Sequence, residues 1–63
     1  MKQYSKVRLI TDRYTEEGAN FGDLGYIIEV YADGNCEVEF SDGNTGITFA
    51  QLVVKPDELK IMD

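Results

Sequence analysis

The 63-residue sequence predicts a single small all-β domain. Apolar residues alternate with polar ones at a period of two rather than 3.6 along almost the whole chain, as in strands with one buried face. β-branched and aromatic residues are concentrated in these alternating runs. Asp-Gly-Asn turns at 33–35 and 42–44 separate the runs and supply the positive φ angles of tight hairpins. No linker or low-complexity tract is found, so one domain is expected over residues 1–63.

The first half of the chain is expected to form two strands joined by a long loop. The strands are predicted over residues 6–11 and 24–31, where β-branched, aromatic and leucine residues are frequent. Residues 12–23 are polar, contain glycine and have no clear period, so they are predicted to be the loop. We expect Tyr14 and Phe21 to pin this loop to the core.

The register of the next hairpin follows from which side chains can be buried. A three-residue loop at 33–35, with a Gly or Asn in the left-handed conformation, would pair Val30 with Val38 and Ile28 with Phe40. The apolar residues then share one face, namely Tyr26, Ile28, Val30, Cys36, Val38 and Phe40. The polar residues share the other face, namely Glu29, Tyr31, Glu37 and Glu39.

A fourth strand over 47–54, a helical turn led by Pro56 and a short last strand over 59–62 complete the prediction. Five short strands, a long first loop and one helical turn before the last strand indicate a small five-stranded SH3-like barrel. Closure of such a barrel would also remove the exposed strand edges. An OB-type barrel is the structural alternative, although it usually needs a longer chain and a helix between strands.

The composition excludes several kinds of chemistry. The chain has 12 acidic residues against 6 basic ones, a net charge of −6, no histidine and one cysteine. It therefore has no internal disulfide, no Cys/His zinc site and no histidine acid–base catalyst. Its acidity disfavours nucleic-acid binding. Cys36 lies in the apolar alternation and is expected to be a small buried apolar residue.

No cofactor, metal or membrane motif is found in the sequence. The Asp-Gly-Asn turns lack the ligand spacing of a calcium loop. No apolar run approaches the roughly 20 residues that cross a bilayer, and no signal peptide is visible. We therefore expect no cofactor, no membrane contact and a cytoplasmic location.

The negative charge is concentrated in the middle of the chain. Residues 12–42 contain nine acidic residues against Arg13 alone, which gives −8. Glu29, Glu37 and Glu39 should lie within cross-strand reach of one another, where their repulsion opposes folding. Such a cluster can imitate a phosphate backbone and block a basic active site with fast electrostatic steering. The plainer interpretation is a solvated face that keeps the protein soluble.

The predicted binding surface combines this cluster with an aromatic anchor, Tyr31. The residues expected to bind a partner are Glu29, Tyr31, Glu37 and Glu39, flanked by Asp33, Glu16, Glu17 and Asp23. Paired acids of the glycosidase type are not favoured, because so short a chain leaves no deep cleft to raise a carboxyl pKa.

Three segments together, at 21–31, 36–40 and 54–59, carry a family resemblance. They read Phe-Gly-Asp-Leu-Gly-Tyr-Ile-Ile-Glu-Val-Tyr, Cys-Glu-Val-Glu-Phe and Val-Lys-Pro-Asp-Glu-Leu. This pattern resembles the short bacterial family of domain of unknown function 4926. The resemblance implies an SH3-like barrel and no assigned activity. Toxin-like genes beside some members imply an immunity or antitoxin role.

The sequence thus predicts a non-enzymatic protein-binding module, in its sharpest form an immunity protein or antitoxin that blocks a basic, nuclease-like toxin. The alternative is a structural accessory subunit that docks on a larger enzyme or electron-transfer complex. The expected partner is a protein, and the oligomeric state is left open.

Overall fold

The computed structural model describes residues 1–62 and shows an all-β protein, as the alternation predicts. Its strands are β1 (Lys6–Leu9), β2 (Leu24–Val30), β3 (Cys36–Ser41), β4 (Thr48–Val54) and β5 (Leu59–Ile61). The helical elements of the described chain are two 3₁₀ turns, Thr15–Glu17 and Pro56–Glu58. The turn led by Pro56 is therefore confirmed, and the strands end within one or two residues of the predicted positions.

All five strands lie in one antiparallel sheet in the order β4-β3-β2-β1-β5. β2, β3 and β4 are paired in chain order through turns at the two Asp-Gly-Asn segments, and β1 pairs with β5 at the other end. This is the small five-stranded SH3-like barrel that the sequence predicts. The expected closure is wrong, however, because within residues 1–62 the edge strands β4 and β5 each pair on one side only and not with each other.

One face of the sheet carries the core. The largest completely buried side chains are Phe40, Leu9, Ile27, Val7, Val38, Val54 and Cys36. Full burial of a Leu, Ile, Val or Phe side chain stabilises the fold by about 1.5–3 kcal/mol. Cys36 is among them, which confirms the prediction of a buried apolar residue.

A β-bulge in β2 changes the register of the first hairpin. Val30 lies opposite Cys36 and Ile27 lies opposite Val38, which leaves Ile28 as the extra residue. The predicted pairs, Val30 with Val38 and Ile28 with Phe40, are therefore wrong.

The bulge also exchanges side chains between the two faces of β2. Ile27 is completely buried and Tyr26 is 48% exposed. The prediction that Tyr26 and Ile28 share the core face of β2 is therefore wrong. The N-terminal segment supports this arrangement, because it donates hydrogen bonds to the backbone carbonyl groups at the bulge. The backbone N–H of Tyr4 donates to Ile27 O at 2.6 Å, and Gln3 Nε2 donates to Ile28 O at 2.9 Å.

The turn between β2 and β3 has three residues, as predicted, but begins one position earlier. Tyr31 N donates to Asn35 O at 2.8 Å and Gly34 N donates to Tyr31 O at 2.9 Å, so the turn is 32–34 rather than 33–35. Gly34 has φ 90°, the left-handed conformation expected for a glycine in this turn.

The long loop is held by one of its two predicted aromatic residues. Tyr14 packs against the core, but Phe21 is 65% exposed, so its predicted role as a pin is wrong. Ala19 is completely buried instead. Its small side chain lets the loop backbone lie close to the core. No helix among residues 1–62 is long and apolar enough to span a membrane.

Candidate protein-binding face

The register of β2 and β3 brings three glutamates together on the exposed side of the sheet. Glu37 and Glu39 are two residues apart on β3 and therefore point to the same side. Glu29 lies directly opposite Glu37, and such pairs have Cβ atoms about 5 Å apart. We call Glu29, Glu37 and Glu39 the acidic face. Their predicted placement opposite the core is confirmed, since Cys36, Val38 and Phe40, which alternate with Glu37 and Glu39 along β3, are buried.

Glu37 is held by two neutral hydrogen-bond donors. Tyr31 Oη donates to Glu37 Oε1 and Gln51 Nε2 donates to Glu37 Oε2. These bonds lower the pKa of Glu37, with Tyr31 the larger cause and Gln51 the next. The same bond raises the pKa of Tyr31. Neutral donors fix the carboxylate and leave its full negative charge in place at neutral pH.

Glu39 is oriented in the same way by the neighbouring strand. Thr48 Oγ1 donates to Glu39 Oε1 at 2.8 Å. Across the sheet, Glu39 lies between Tyr26 on β2 and Gln51 on β4. Glu37 and Glu39 are therefore preorganised, because hydrogen bonds position their side chains before any partner arrives.

Tyr26, Gln51 and Thr48 are parts of this surface that the sequence prediction missed. Tyr26 reaches the exposed side only through the bulge, which simple alternation does not show. Gln51 and Thr48 contact glutamates that are 14 and 9 residues away in the chain. The alternation of polar and apolar residues in β4 predicts that Gln51 is exposed, but it does not indicate which residue Gln51 contacts.

The structure brings together some of the predicted flanking residues and separates others. Tyr31 is 40% exposed beside Glu37, and Asp33 lies in the adjoining turn, where its carboxylate accepts the backbone N–H of Asn35 at 3.0 Å. Glu16 and Glu17 form part of the first 3₁₀ turn, in the loop that packs against the buried side of the sheet. They are therefore not part of the acidic face.

Asp23 lies at the start of β2, beyond the acidic face. Its carboxylate accepts the backbone N–H of Asn20 at 2.7 Å and so closes its own loop. It also lines an open groove of about 390 Å³ together with Asp42 and Phe49. Its role in the structure is to shape the end of the long loop.

Basic residues occupy the other end of the exposed surface of the sheet. Lys6 and Arg8 lie on β1, and Arg8 is opposite Lys60 on β5. Among residues 1–62, the ion pair found joins Arg13 and Glu58 in the loop region. No ion pair within that part of the chain neutralises the acidic face.

A family comparison covers the whole of this sheet. The model of the family described as Domain of unknown function (DUF4926) matches residues 4–61. The chain belongs to this family. The match spans all five strands and the acidic face, which confirms the resemblance stated from the sequence. No curated protein and no solved structure matches the chain.

A second polar cluster in this DUF4926 chain ties the long loop to the second 3₁₀ turn. Tyr14 Oη donates to Glu58 Oε1 at 2.6 Å, and Arg13 Nε donates to Glu58 Oε2 at 2.8 Å. Lys55 N donates to Glu58 Oε1 at 3.0 Å. Burial would raise the pKa of Glu58, but these hydrogen bonds outweigh it and the pKa lies below its ordinary value. Sequence patterns do not reveal this cluster, because Arg13 and Tyr14 lie more than 40 residues before Glu58.

The acidic face gives this DUF4926 chain a charged surface with defined geometry. Among residues 1–62, no group of three or more Cys, His, Asp or Glu side chains could hold a metal ion. The acidic face presents carboxylates on two neighbouring strands and can accept hydrogen bonds from Lys or Arg side chains.

Proposed function

We propose that this chain is a non-enzymatic protein-binding module whose acidic face binds a basic protein. In its specific form the proposal is an immunity protein or antitoxin that blocks a nuclease-like toxin. The observation that carries it is the grouping of Glu29, Glu37 and Glu39 on one exposed surface, with neutral hydrogen-bond donors to two of them.

The electrostatic cost of this grouping supports a binding role. Like charges directly opposite each other on a sheet destabilise it, and Glu29 faces Glu37 in this way. A partner that brings Lys or Arg side chains to this surface would offset the repulsion. Tyr31 beside Glu37 and Tyr26 beside Glu39 add aromatic contact area of the kind that is common at interfaces.

The spacing of the carboxylates also suits a site that binds phosphates. Glu37 and Glu39 are separated by two strand residues, about 7 Å, and Glu29 lies beside them on β2. Nucleases hold the phosphate backbone with Arg and Lys, which bind carboxylates equally well. A row of fixed carboxylates can therefore occupy the same basic side chains. A cytoplasmic location belongs to this proposal, because an inhibitor of such a toxin must act where cellular nucleic acid is exposed to it.

Charge reversal tests the proposal. In Glu37→Lys/Glu39→Lys, association with the basic partner should slow at least tenfold at low salt, because steering depends on these charges. The matched control is Glu16→Lys/Glu17→Lys, which makes the same change in net charge. These two glutamates are exposed in the loop on the core side of the sheet, so the control should bind nearly as wild type. The partner is first identified by pull-down and mass spectrometry and then purified for stopped-flow or surface-binding kinetics.

The outcomes separate the two functional candidates. A nuclease whose activity is inhibited by wild type and by the control, but not by Glu37→Lys/Glu39→Lys, supports the proposal. Unchanged binding by that variant excludes the acidic face as the interface. A stable complex with a metabolic enzyme, with no loss of nuclease activity, favours the accessory subunit instead.

A further inference from the structure

The exposed edge of β4 is the feature that the proposed function does not use. β4 runs from Thr48 to Val54 at one end of the sheet, and within residues 1–62 it pairs with β3 alone. From Ala50 to Val54, where the register with β3 is regular, alternate residues therefore point their backbone N–H and C=O groups away from the sheet. Such an edge is a template for another strand.

Apart from an irregularity at Phe49, where the register with β3 shifts, β4 lacks the features that usually keep an edge strand unpaired. Residues 43–54 contain no charged side chain and no proline, and they are the longest uncharged stretch of a chain that is 29% charged. The other edge strand, β5, has only three residues and carries Lys60 at its centre. Charged side chains and short length are the common protections of an edge, so β5 is protected and β4 is not.

Apolar side chains are also exposed along this edge. Ile47, Phe49 and Val53 are 67%, 46% and 50% exposed. Gln51 between Phe49 and Val53 is exposed and polar but uncharged, so no charged side chain lies along this edge.

We infer that β4 pairs antiparallel with β4 of a second copy of the chain, which joins two five-stranded sheets into one. An antiparallel strand pair is self-complementary under a twofold axis, so identical edges fit each other. Two chains that each carry −6 repel over most of their surfaces. The uncharged stretch 43–54 is where two copies can meet without placing carboxylates against each other.

This pairing determines how a dimer would present its surfaces. A twofold axis perpendicular to the joined sheet places both acidic faces on the same side. Three interstrand steps separate the two β3 strands, so the acidic faces would lie about 14 Å apart. The inference rests on the backbone edge of β4 and on none of the glutamates, although Val53 of this strand lies directly opposite Glu37.

Sedimentation equilibrium of the wild-type protein tests the inference directly. We expect a species of twice the 7.1 kDa chain mass to increase as the concentration is raised from about 10 µM to about 1 mM. Raising NaCl from about 0.05 to about 0.5 M should strengthen association, because it screens the repulsion between two acidic chains. A single 7.1 kDa species under all these conditions overturns the inference.

Amide hydrogen exchange locates the contact without any substitution. Alternate amides of Ala50–Val54 should become protected as the concentration rises, whereas the outward amides of β5 should not change. Equal protection of both edges, or protection elsewhere with β4 unchanged, overturns the assignment of the dimer to β4.

A pair of matched variants checks the same contact. Phe49→Lys/Val53→Lys places like charges along the shared strand and should weaken dimerisation about tenfold or more. The control Ile10→Lys/Ile61→Lys replaces two apolar residues of comparable exposure, 40% and 42%, outside β4 and should dimerise as wild type. Both variants lower the net negative charge equally, so a general charge effect would move them together and would contradict the inference. The exchange experiment decides the question if the first variant does not fold.

Discussion

Gly25 shows how the sheet constrains a single residue. It is buried in β2, opposite Phe40. A Cβ atom at this position would lie 2.6 Å from the backbone oxygen of Glu39 and 2.9 Å from Val38 Cγ1. The first of these neighbours is backbone in the adjacent strand, so any side chain would push β2 and β3 apart.

We therefore predict that Gly25→Ala destabilises the protein by about 1–3 kcal/mol, the usual cost of an overpacked core. Gly43→Ala is the matched control, because a Cβ there has nothing within 4 Å. Urea unfolding of both variants measures the difference in the free energy of unfolding. Equal midpoints would show that the sheet has room at Gly25.

The carboxylate of Glu37 owes its lowered pKa first to Tyr31 and then to Gln51. Tyr31→Phe removes the larger cause, so the pKa of Glu37 should rise toward its ordinary value. NMR titration of the Glu37 side-chain carboxyl measures this shift, and Tyr26→Phe, on the same surface, should leave it unchanged. A Glu37 pKa that is the same in all three proteins would contradict the hydrogen bond from Tyr31.

The sign of the associated stability change follows from the same shift. Because the pKa of Glu37 is lower in the folded protein, its ionised form favours folding above its ordinary pKa. That contribution is lost as the pH falls through the lowered value. Tyr31→Phe should therefore reduce the acid-dependent part of the unfolding free energy.

Among the elements, the long loop depends on contacts that are distant in sequence. Tyr14, Arg13 and Lys55 N all donate hydrogen bonds to Glu58, which joins the loop to the second 3₁₀ turn. The side chain of Glu58 is only 13% exposed, whereas that of Arg13 is 54% exposed. Water screens the ion pair because Arg13 is exposed. The hydrogen bonds that Tyr14 and Lys55 donate to Glu58 should therefore contribute more to stability than the ion pair.

We predict that Glu58→Gln costs about 1–2 kcal/mol at neutral pH, since it weakens hydrogen bonds to a charged acceptor. The pKa of Glu58 is lowered in the folded protein, so the wild type loses this advantage as the pH falls through that value. Urea unfolding across the acid range should show the two proteins converging, and Glu17→Gln should match wild type throughout. A constant difference at every pH would contradict the role of the ionised carboxylate.

The strands and turns also show which features of the fold a local sequence pattern can predict. Alternation predicts all five strands, because one buried face imposes a period of two, and Pro56 indicates the turn before β5. The bulge at Ile28 escapes such reasoning, because its backbone partners come from the N-terminal segment, 23 to 25 residues earlier. Phe21 was expected to be buried for its size, but the loop buries Ala19 instead.

On the scale of the whole molecule, the two proposals predict opposite effects of salt on association. Binding of a basic partner to the acidic face should weaken with salt, whereas pairing of β4 edges should strengthen with salt. The contrast follows from the uneven distribution of −6 net charge, which is absent from residues 43–54. Salt series of both equilibria therefore distinguish the two surfaces even when both are occupied.

The sequence by itself determined the all-β class, the hairpins and the placement of Glu37 and Glu39 on the side away from the core, because these depend on neighbours two residues apart. Only the tertiary structure decided that Tyr26 joins Glu39 on the exposed side, that Glu16 and Glu17 lie elsewhere, and that β4 has an open edge. These features depend on a bulge, on the path of a loop and on which strands meet. Each is set by contacts between distant parts of the chain, which side-chain periodicity does not encode.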